Sequence, residues 1–186
     1  MLIKAYTDGS ACVKGDNKGK GGFGTFFPNL FGKKKAFSLG FINTKTGRME
    51  IMALLYAIRA IPINQECILK VFPDSEYIIK AFTEKRLEKW VKNNWITYGY
   101  RGGEQPVKNI DLWKKVLREL EIRKNLTLTL EHVKAHQLDK IKDKKKIKGM
   151  LQDENILGNF VADKLADYKR FNKHKIDGRY SLKFAS

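Results

Sequence analysis

The chain has 186 residues, enough for one globular domain with a sizeable core, and 42% of them are hydrophobic. Its charge is unusual: 37 Lys and Arg against 20 Asp and Glu give a net charge of +17, which indicates a polyanionic partner such as nucleic acid. No apolar run approaches the roughly 20 residues of a membrane-spanning helix, so we expect no membrane partner.

The N-terminal part of the chain predicts three strands followed by a helix. Apolar and aromatic strand patterns cover residues 2–13, 23–31 and 36–42, with a turn at Gly32–Lys35, and together they predict an antiparallel meander. The first of these strands begins close to Met1, so we expect no signal peptide. From Arg48 to Ile61 the apolar residues recur every three or four positions, which predicts a helix that Pro62 ends.

The remaining patterns alternate between helices and strands, with one irregular and one lysine-rich segment. We predict a strand at 67–72, helices at 74–82 and 84–95, an irregular stretch at 98–107, a helix at 109–123, a strand at 126–133, a solvated loop at 139–148 and a helix at 157–171. This order predicts an α/β or mixed α+β fold, with helices covering a mixed sheet. We expect one domain over 1–171 and a basic tail over 172–186.

Cys12 and Cys67 are the only cysteines. They form no Cys-x-x-Cys pair, and nothing in their spacing is typical of a secreted disulfide scaffold. We therefore expect reduced thiols in a cytoplasmic protein.

Four acidic residues stand in distinctive settings: Asp8 within a strand, Glu50 in the first turn of a helix, Asp74 at a helix N-cap and Asp163 in the last helix. Taken alone, each has an ordinary structural explanation, such as a turn, the helix dipole, a cap or a surface position. Three of them interrupt apolar stretches, where a carboxylate is costly unless its charge is offset. Because one bound divalent cation offsets several carboxylates, the set predicts a metal-dependent nuclease.

Two other motifs carry weaker signals. The glycines of Gly19–Gly24 match the Gly-x-Gly-x-x-Gly pattern, but a strand-like run follows where a dinucleotide site needs a helix. His132 and His136 are four residues apart, as in half a zinc site, yet the alternating run before them favours a strand. A mobile histidine that assists proton transfer is the better functional interpretation of this pair.

The motifs also occur in the order of a known family. They are Tyr6-Thr7-Asp8-Gly9-Ser10, Arg48-Met49-Glu50, Asp74-Ser75, Val133-Lys134-Ala135-His136, and Asn159 followed by Asp163. With them the chain resembles a type 1 ribonuclease H of the bacterial kind, with a basic handle over residues 84–101. The resemblance implies a five-stranded mixed sheet with three antiparallel N-terminal strands, flanked by helices. It also implies cleavage of the RNA strand of RNA–DNA hybrids with two Mg²⁺ or Mn²⁺ ions, leaving 5′-phosphate and 3′-hydroxyl ends.

By this resemblance, Asp8, Glu50, Asp74 and Asp163 are the catalytic metal ligands, and His136 is the catalytic residue that helps protons move. Residues expected to contact the hybrid lie after Asp8, in the turn that follows, in the handle and in the last helix. They are Gly9, Ser10, Asn17, Lys85, Arg86, Lys89, Trp90, Lys92, Asn93, Trp95 and Asn159. No required protein partner is evident from the sequence, and we expect a monomer.

The chain departs from the family pattern at two places. Thr46 and Gly47 stand where many members carry Asn or Gln that contact the substrate, and the segment 137–158 is long and rich in lysine. The lysine run is either a solvated loop or an extra phosphate contact. Two alternatives stay open: a hybrid-binding module without catalysis, and a nuclease of the same broad fold, such as a junction resolvase or an integrase core.

Overall fold

A mixed β-sheet with helices on both faces organises the computed structural model, which describes residues 1–99, 102–135, 137–138, 141–171 and 174–176. The strands are β1 (Leu2–Ala11), β2 (Gly21–Leu30), β3 (Lys33–Ile42), β4 (Cys67–Pro73), β5 (Ile96–Tyr98), β6 (Glu104–Pro106), β7 (Leu126–Leu130) and β8 (His174–Ile176). The helices are α1 (Thr46–Arg59), α2 (Glu76–Thr83), α3 (Arg86–Lys92), α4 (Ile110–Ile122), α5 (Lys144–Met150) and α6 (Glu154–Phe171).

The strand order of the main sheet is β7-β4-β1-β2-β3-β8. The first three strands pair antiparallel, while β4 runs parallel to β1 and β7 runs parallel to β4. The predicted mixed sheet of five strands, with its antiparallel meander, is therefore confirmed. The strand β8 adds a sixth, short and parallel to β3, within the segment predicted as a tail; residues 172–173 and 177–186 of that segment lie outside the described residues.

Helices α1 and α6 pack against opposite faces of the sheet at β1 and β2. A Cβ on Gly9 would lie 2.2 Å from the backbone nitrogen of Glu50 in α1, whereas a Cβ on Gly24 would lie 2.2 Å from the carbonyl oxygen of Ala162 in α6. Because successive strand residues point to opposite faces and Gly24 pairs with Asp8, the Asp8 side chain lies on the face that α6 covers. The main hydrophobic core lies on the α1 face and includes the fully buried Trp113 of α4.

Several local predictions are corrected by these bounds. Helix α1 begins at Thr46, so Glu50 lies in its second turn and not in the first. Asp74 is not the N-cap of α2, because Ser75 holds that position and the helix begins at Glu76. The helix predicted at 84–95 is shorter, and the stretch predicted as irregular carries the β5–β6 hairpin.

The lysine run is also more ordered than its composition indicates. Residues 144–150 form α5, and the Asp143 side chain caps it by accepting hydrogen bonds from the backbone N–H groups of Lys145 and Lys146. None of the residues of α5 is buried, so the helix presents its lysines to solvent. In the described part of the chain no helix combines the length and apolar character that crossing a membrane requires.

Candidate active site

Two neighbouring parallel strands bring Asp8 and Asp74 together. Thr7 of β1 pairs with Pro73, the last residue of β4, so Asp8, which continues in β1, and Asp74, which follows β4, lie side by side. The carboxyl end of a strand in a parallel pair is a common place for functional groups, and here β4 ends at Pro73 while β1 continues to Ala11. Asp74 therefore follows β4 directly and does not cap α2.

Helix α1 supplies Glu50 from the other side of β1. The close approach at Gly9 allows this: a side chain there would collide with the backbone of Met49 and Glu50. A glycine within a strand is expected to admit another backbone, such as that of a nucleic acid, but the backbone that Gly9 admits belongs to α1. Arg48 is 1% exposed and binds Asp111 of α4 through two hydrogen bonds of 2.8 and 2.7 Å, which fixes the turn of α1 that carries Glu50.

The three carboxylates form a tight cluster. Asp8, Glu50 and Asp74 each place one oxygen so that all three oxygens lie within 4.8 Å of one another. Asp8 and Glu50 are each only 7% exposed, so little water screens the repulsion between them. The cluster is the arrangement that the sequence predicted for three of the four acidic residues.

Burial and mutual repulsion dominate the electrostatics of the cluster. Burial raises the pKa of Asp8 to about 8, and the nearby charges of Asp74 and Asp163 add to that effect. Burial, followed by the charges of Asp8 and Asp74, also raises the pKa of Glu50 well above its usual range. Hydrogen bonding from the Gly9 backbone lowers both values, but less than burial raises them.

The donor set fits a hard divalent cation. The buried Oε2 atom of Glu50 has no hydrogen-bond partner among the described residues. Buried carboxylate oxygens normally have such a partner, so this atom is available to a ligand. The cluster offers only carboxylate oxygens, the ligands that Mg²⁺ and Mn²⁺ prefer. A cation held by Asp8, Glu50 and Asp74 would satisfy this oxygen and offset the shared negative charge.

Asp163 lines the same cleft from α6, although it does not belong to the cluster of three. Its side chain is 14% exposed, and its Oδ2 atom lies 3.1 Å from the ammonium of Lys164. The cleft has a volume of about 370 Å³, and Gly9, Ser10 and Thr46 line it together with the four acidic residues. The structure thus brings all four predicted carboxylates to one cleft and three of them into direct proximity.

The cleft continues as a groove towards α3. Glu50, Thr46 and Ser75 border both the cleft and an adjoining hollow of about 550 Å³. Tyr77 and Lys108 then join this hollow to a third one of about 460 Å³ beside α3 and the β5–β6 hairpin. Cations along this path, including Lys45, Lys108, Arg86 and Lys89, suit a phosphate backbone.

The predicted handle residues are divided between this groove and the core. Arg86, Lys89, Trp90 and Asn93 line the hollow beside α3, whereas Trp95 is not among the residues that line it. Both tryptophans pack partly against the hydrophobic core, and the ring of Trp90 lies 5.9 Å from that of Trp113. Lys85 and Lys92 are exposed on the same segment, and Arg101, the last residue of the predicted handle, lies outside the described residues.

Of the remaining predicted contacts, Asn17 lies in the turn between β1 and β2, where its side chain accepts a hydrogen bond of 2.8 Å from Lys20. Asn159 lies in α6, four residues before Asp163, and its buried Oδ1 atom has no hydrogen-bond partner among the described residues. His136 lies outside the described residues. His132 places its Nε2 atom 3.1 Å from the backbone carbonyl oxygen of Asp74.

The structure adds two cleft residues that the sequence did not single out, Asp167 and Arg170 of α6. Both lie on the helix face that carries Asp163, at spacings of four and seven residues. This helical spacing is visible in the sequence. It indicates that the two residues share the cleft with Asp163 only when α6 is known to lie beside β1.

Comparisons with known proteins agree with this site and fold. The family model described as RNase H matches residues 2–170. The Ribonuclease H of Lachnoclostridium phytofermentans is 36% identical over 121 residues, which cover 63% of this chain and 72% of that protein. The Ribonuclease H of Caldanaerobacter subterraneus subsp. tengcongensis is 34% identical over 173 residues, 93% of each chain. The chain belongs to the ribonuclease H family, whose members are metal-dependent hydrolases.

Solved structures show the same fold at lower identity. LC9-RNase H1, described as a type 1 RNase H with the type 2 active-site motif, aligns with a TM-score of 0.65 at 17% identity, over all of this chain and 81% of that one. The foamy viral protease-reverse transcriptase, solved in complex with an RNA/DNA hybrid, also aligns with a TM-score of 0.65, at 19% identity over 91% of this chain and 20% of that chain. These likenesses confirm the ribonuclease H-like fold predicted from the sequence.

Proposed function

We infer that the protein is a type 1 ribonuclease H that hydrolyses the RNA strand of RNA–DNA hybrids and leaves 5′-phosphate and 3′-hydroxyl ends. The observation that carries this proposal is the cluster of Asp8, Glu50 and Asp74, the first two of them buried, at one end of a cation-lined groove in a chain of this family. A cluster of repelling carboxylates lowers the stability of the free protein, so we assign it a functional role.

The four cleft carboxylates would hold the metal. Asp8, Glu50 and Asp74, which each place one oxygen within 4.8 Å of the others, would be ligands together with Asp163. Two bound Mg²⁺ ions supply an activated water and a neutralised leaving oxygen for phosphodiester hydrolysis. His136 would accept or deliver a proton at the edge of the cleft.

The rest of the groove would hold the nucleic acid. Gly9 and Ser10, which line the cleft, would contact the RNA strand, together with Asn159 of α6 and Asn17 of the first turn. The handle residues Lys85, Arg86, Lys89, Trp90, Lys92, Asn93 and Trp95 would contact the DNA strand through phosphates and sugars. A single duplex lying along the groove would meet both surfaces, with selection based on helix shape and 2′-hydroxyls.

A matched pair of Glu→Gln variants tests the proposal. A hybrid labelled at the 5′ end of its RNA strand is incubated with Mg²⁺ and each protein. We expect the wild type and Glu121→Gln to cut the RNA at similar rates, because Glu121 is exposed on α4. Glu50→Gln, which keeps the shape but loses the charge, should be slower by at least about 100-fold, the scale of losing one major catalytic interaction.

The ends of the products and the metal requirement complete this experiment. Cleaved RNA should carry 3′-hydroxyl ends that a polymerase extends, and a chelator should abolish cleavage. Equal activity of Glu50→Gln and Glu121→Gln, or cleavage that persists in the chelator, would contradict the assignment of the site. Tight hybrid binding without turnover in Mg²⁺ or Mn²⁺ would favour a binding module instead.

A further inference from the structure

A network of three side chains borders the carboxylate cleft on the α6 side. Ser10 lies two residues beyond Asp8 in β1, and alternate strand residues point to the same face, so both side chains turn towards α6. Asp163, Asp167 and Arg170 follow each other on one face of that helix. Ser10, Asp167 and Arg170 line the same cleft as the acidic residues.

The network has a definite direction of hydrogen bonding. Arg170 Nη1 donates to Ser10 Oγ at 2.7 Å, and Ser10 Oγ donates to Asp167 Oδ1 at 3.0 Å. The triangle closes through Arg170 Nη2, which lies 3.1 Å from Asp167 Oδ1. Because a guanidinium only donates and a carboxylate only accepts, the serine hydrogen is committed to Asp167 and one serine lone pair is committed to Arg170.

The orientation of the serine hydroxyl restricts what else it can bind. A hydroxyl oxygen carries one hydrogen and two lone pairs, so Ser10 retains a single lone pair for a further partner. Such a partner must be a donor. Among the groups that differ between RNA and DNA, the ribose 2′-hydroxyl is the one that donates, and deoxyribose has no counterpart.

We propose that Asp167 and Arg170 are positioning residues that hold Ser10 as a hydrogen-bond acceptor for a ribose 2′-hydroxyl, and so add to the selection of RNA over DNA at the cleft. This inference rests on the proposed function, because it assumes that the RNA strand passes Ser10. Arg170 acts through Ser10 here, since its two terminal nitrogens are directed at Ser10 and Asp167. A direct contact of Arg170 with a phosphate is the competing outcome that the experiment distinguishes.

The test is a scan of equilibrium binding. Hybrids in which each ribose in turn is replaced by deoxyribose are titrated in Mg²⁺ with proteins that all carry Asp8→Asn, so that the RNA stays intact. The proteins compared are the Asp8→Asn background, and that background with Ser10→Ala, Arg170→Ala, both changes, or Arg170→Lys. Arg118→Ala, which removes an exposed arginine on α4 outside the cleft, is the matched control.

We expect one ribose position at which the deoxy substitution weakens binding by the background protein roughly two- to tenfold, the size of a net hydrogen bond. With Ser10→Ala or Arg170→Ala the same substitution should have no effect. The double variant should bind no more weakly than Ser10→Ala alone, Arg170→Lys should restore part of the effect, and Arg118→Ala should keep all of it.

Two results would overturn the proposal. One is a deoxy scan that Ser10→Ala and Arg170→Ala leave unchanged. The other is a weakening by Arg170→Ala that adds fully to that of Ser10→Ala and disappears at high salt, which would assign Arg170 to a phosphate. A separate cleavage assay with the wild type reports on the proposed function, so hybrid binding that depends on Ser10 without any cleavage would contradict that function and leave this inference supported.

Discussion

The Asp8 carboxylate illustrates how a single residue reconciles stability with function. It is buried beside Glu50 and Asp74, so the free protein loses stability by ionising it, and a bound cation reverses the balance. The sequence predicted the acidic residues because they interrupt apolar stretches. It did not predict the Ser10–Asp167–Arg170 network, because residues 157 and 160 positions apart meet only through the packing of α6 on β1.

The stability of the metal-free protein should report directly on Asp8. Its pKa is raised from 3.8 to about 8, so its contribution to stability is fully present below pH 3.8 and is lost as the pH rises through about 8. Asparagine does not titrate, so Asp8→Asn should be more stable than the wild type at pH 8 in a chelator, by an amount on the order of 2 kcal/mol. Chemical denaturation at pH 5, 6.5 and 8 measures the difference, which should shrink towards pH 5.

Metal provides the control for this prediction. Saturating Mg²⁺ binds the folded wild type and stabilises it by mass action, whereas Asp8→Asn should gain much less. If the wild type proves more stable than Asp8→Asn at pH 8 in the chelator, the carboxylate is not destabilised by burial and the description of the free site is wrong.

At the scale of secondary-structure elements, the site depends on how closely α1 approaches β1. The helices and strands with strong periodicity were predicted, although their ends moved by a few residues, which shifted Glu50 out of the first turn of α1 and Asp74 away from the N-cap of α2. The short elements α5, β5, β6 and β8 were not predicted. Their sequences are polar or too short to show a periodic pattern. In the fold, Asp143 caps α5, β5 and β6 pair with each other, and β8 pairs with β3.

A pair of Gly→Ala variants tests the approach of α1. A Cβ at Gly9 would meet backbone atoms at 2.2 and 2.4 Å, so Gly9→Ala should destabilise the protein by about 3 kcal/mol or more, or prevent folding. A Cβ at Gly47, in the first turn of α1, would meet nothing nearer than 3.7 Å. Gly47→Ala should therefore be neutral or stabilise by up to about 1 kcal/mol, because alanine favours a helix.

Thermal and chemical denaturation measure both variants, and circular dichroism shows whether Gly9→Ala still folds. Equal stability of the two variants would mean that β1 and α1 can separate without cost. The glycine after Asp8 would then have a different role, such as admitting a nucleic-acid backbone beside the cleft.

At the scale of the whole molecule, the net charge of +17 and the cations along the groove both suit a polyanionic partner. Composition predicted the class of partner, and the order of motifs predicted the sheet and the gathering of the acidic residues at one cleft. The path of the groove was not predictable, because it depends on hollows that adjoin through Glu50, Tyr77 and Lys108. The lysines of α5 are exposed and add to the positive charge of the surface.

Two matched lysine triplets test whether α5 contacts the hybrid. The first triplet, in α5, is Lys144, Lys145 and Lys146. The second, exposed at the start of β3, is Lys33, Lys34 and Lys35, and it precedes Ser38, the residue that pairs with Gly24. Changing the first triplet to glutamine should weaken hybrid binding and reduce the slope of log affinity against log salt by about 0.7–0.9 for each phosphate that α5 no longer neutralises. The second triplet should change the slope less.

Hybrid titrations at several salt concentrations give both slopes. An unchanged slope for the α5 triplet would make the helix a bystander, and equal changes for both triplets would show that only the overall charge matters.

The most direct test of the central claim is a cleavage experiment on three duplexes of matched sequence, RNA–DNA, RNA–RNA and DNA–DNA, with the wild-type protein in Mg²⁺. The account predicts that only the RNA strand of the RNA–DNA hybrid is cut, with 5′-phosphate and 3′-hydroxyl ends. Cleavage of the DNA duplex at a comparable rate, or no cleavage of the hybrid at all, would contradict it.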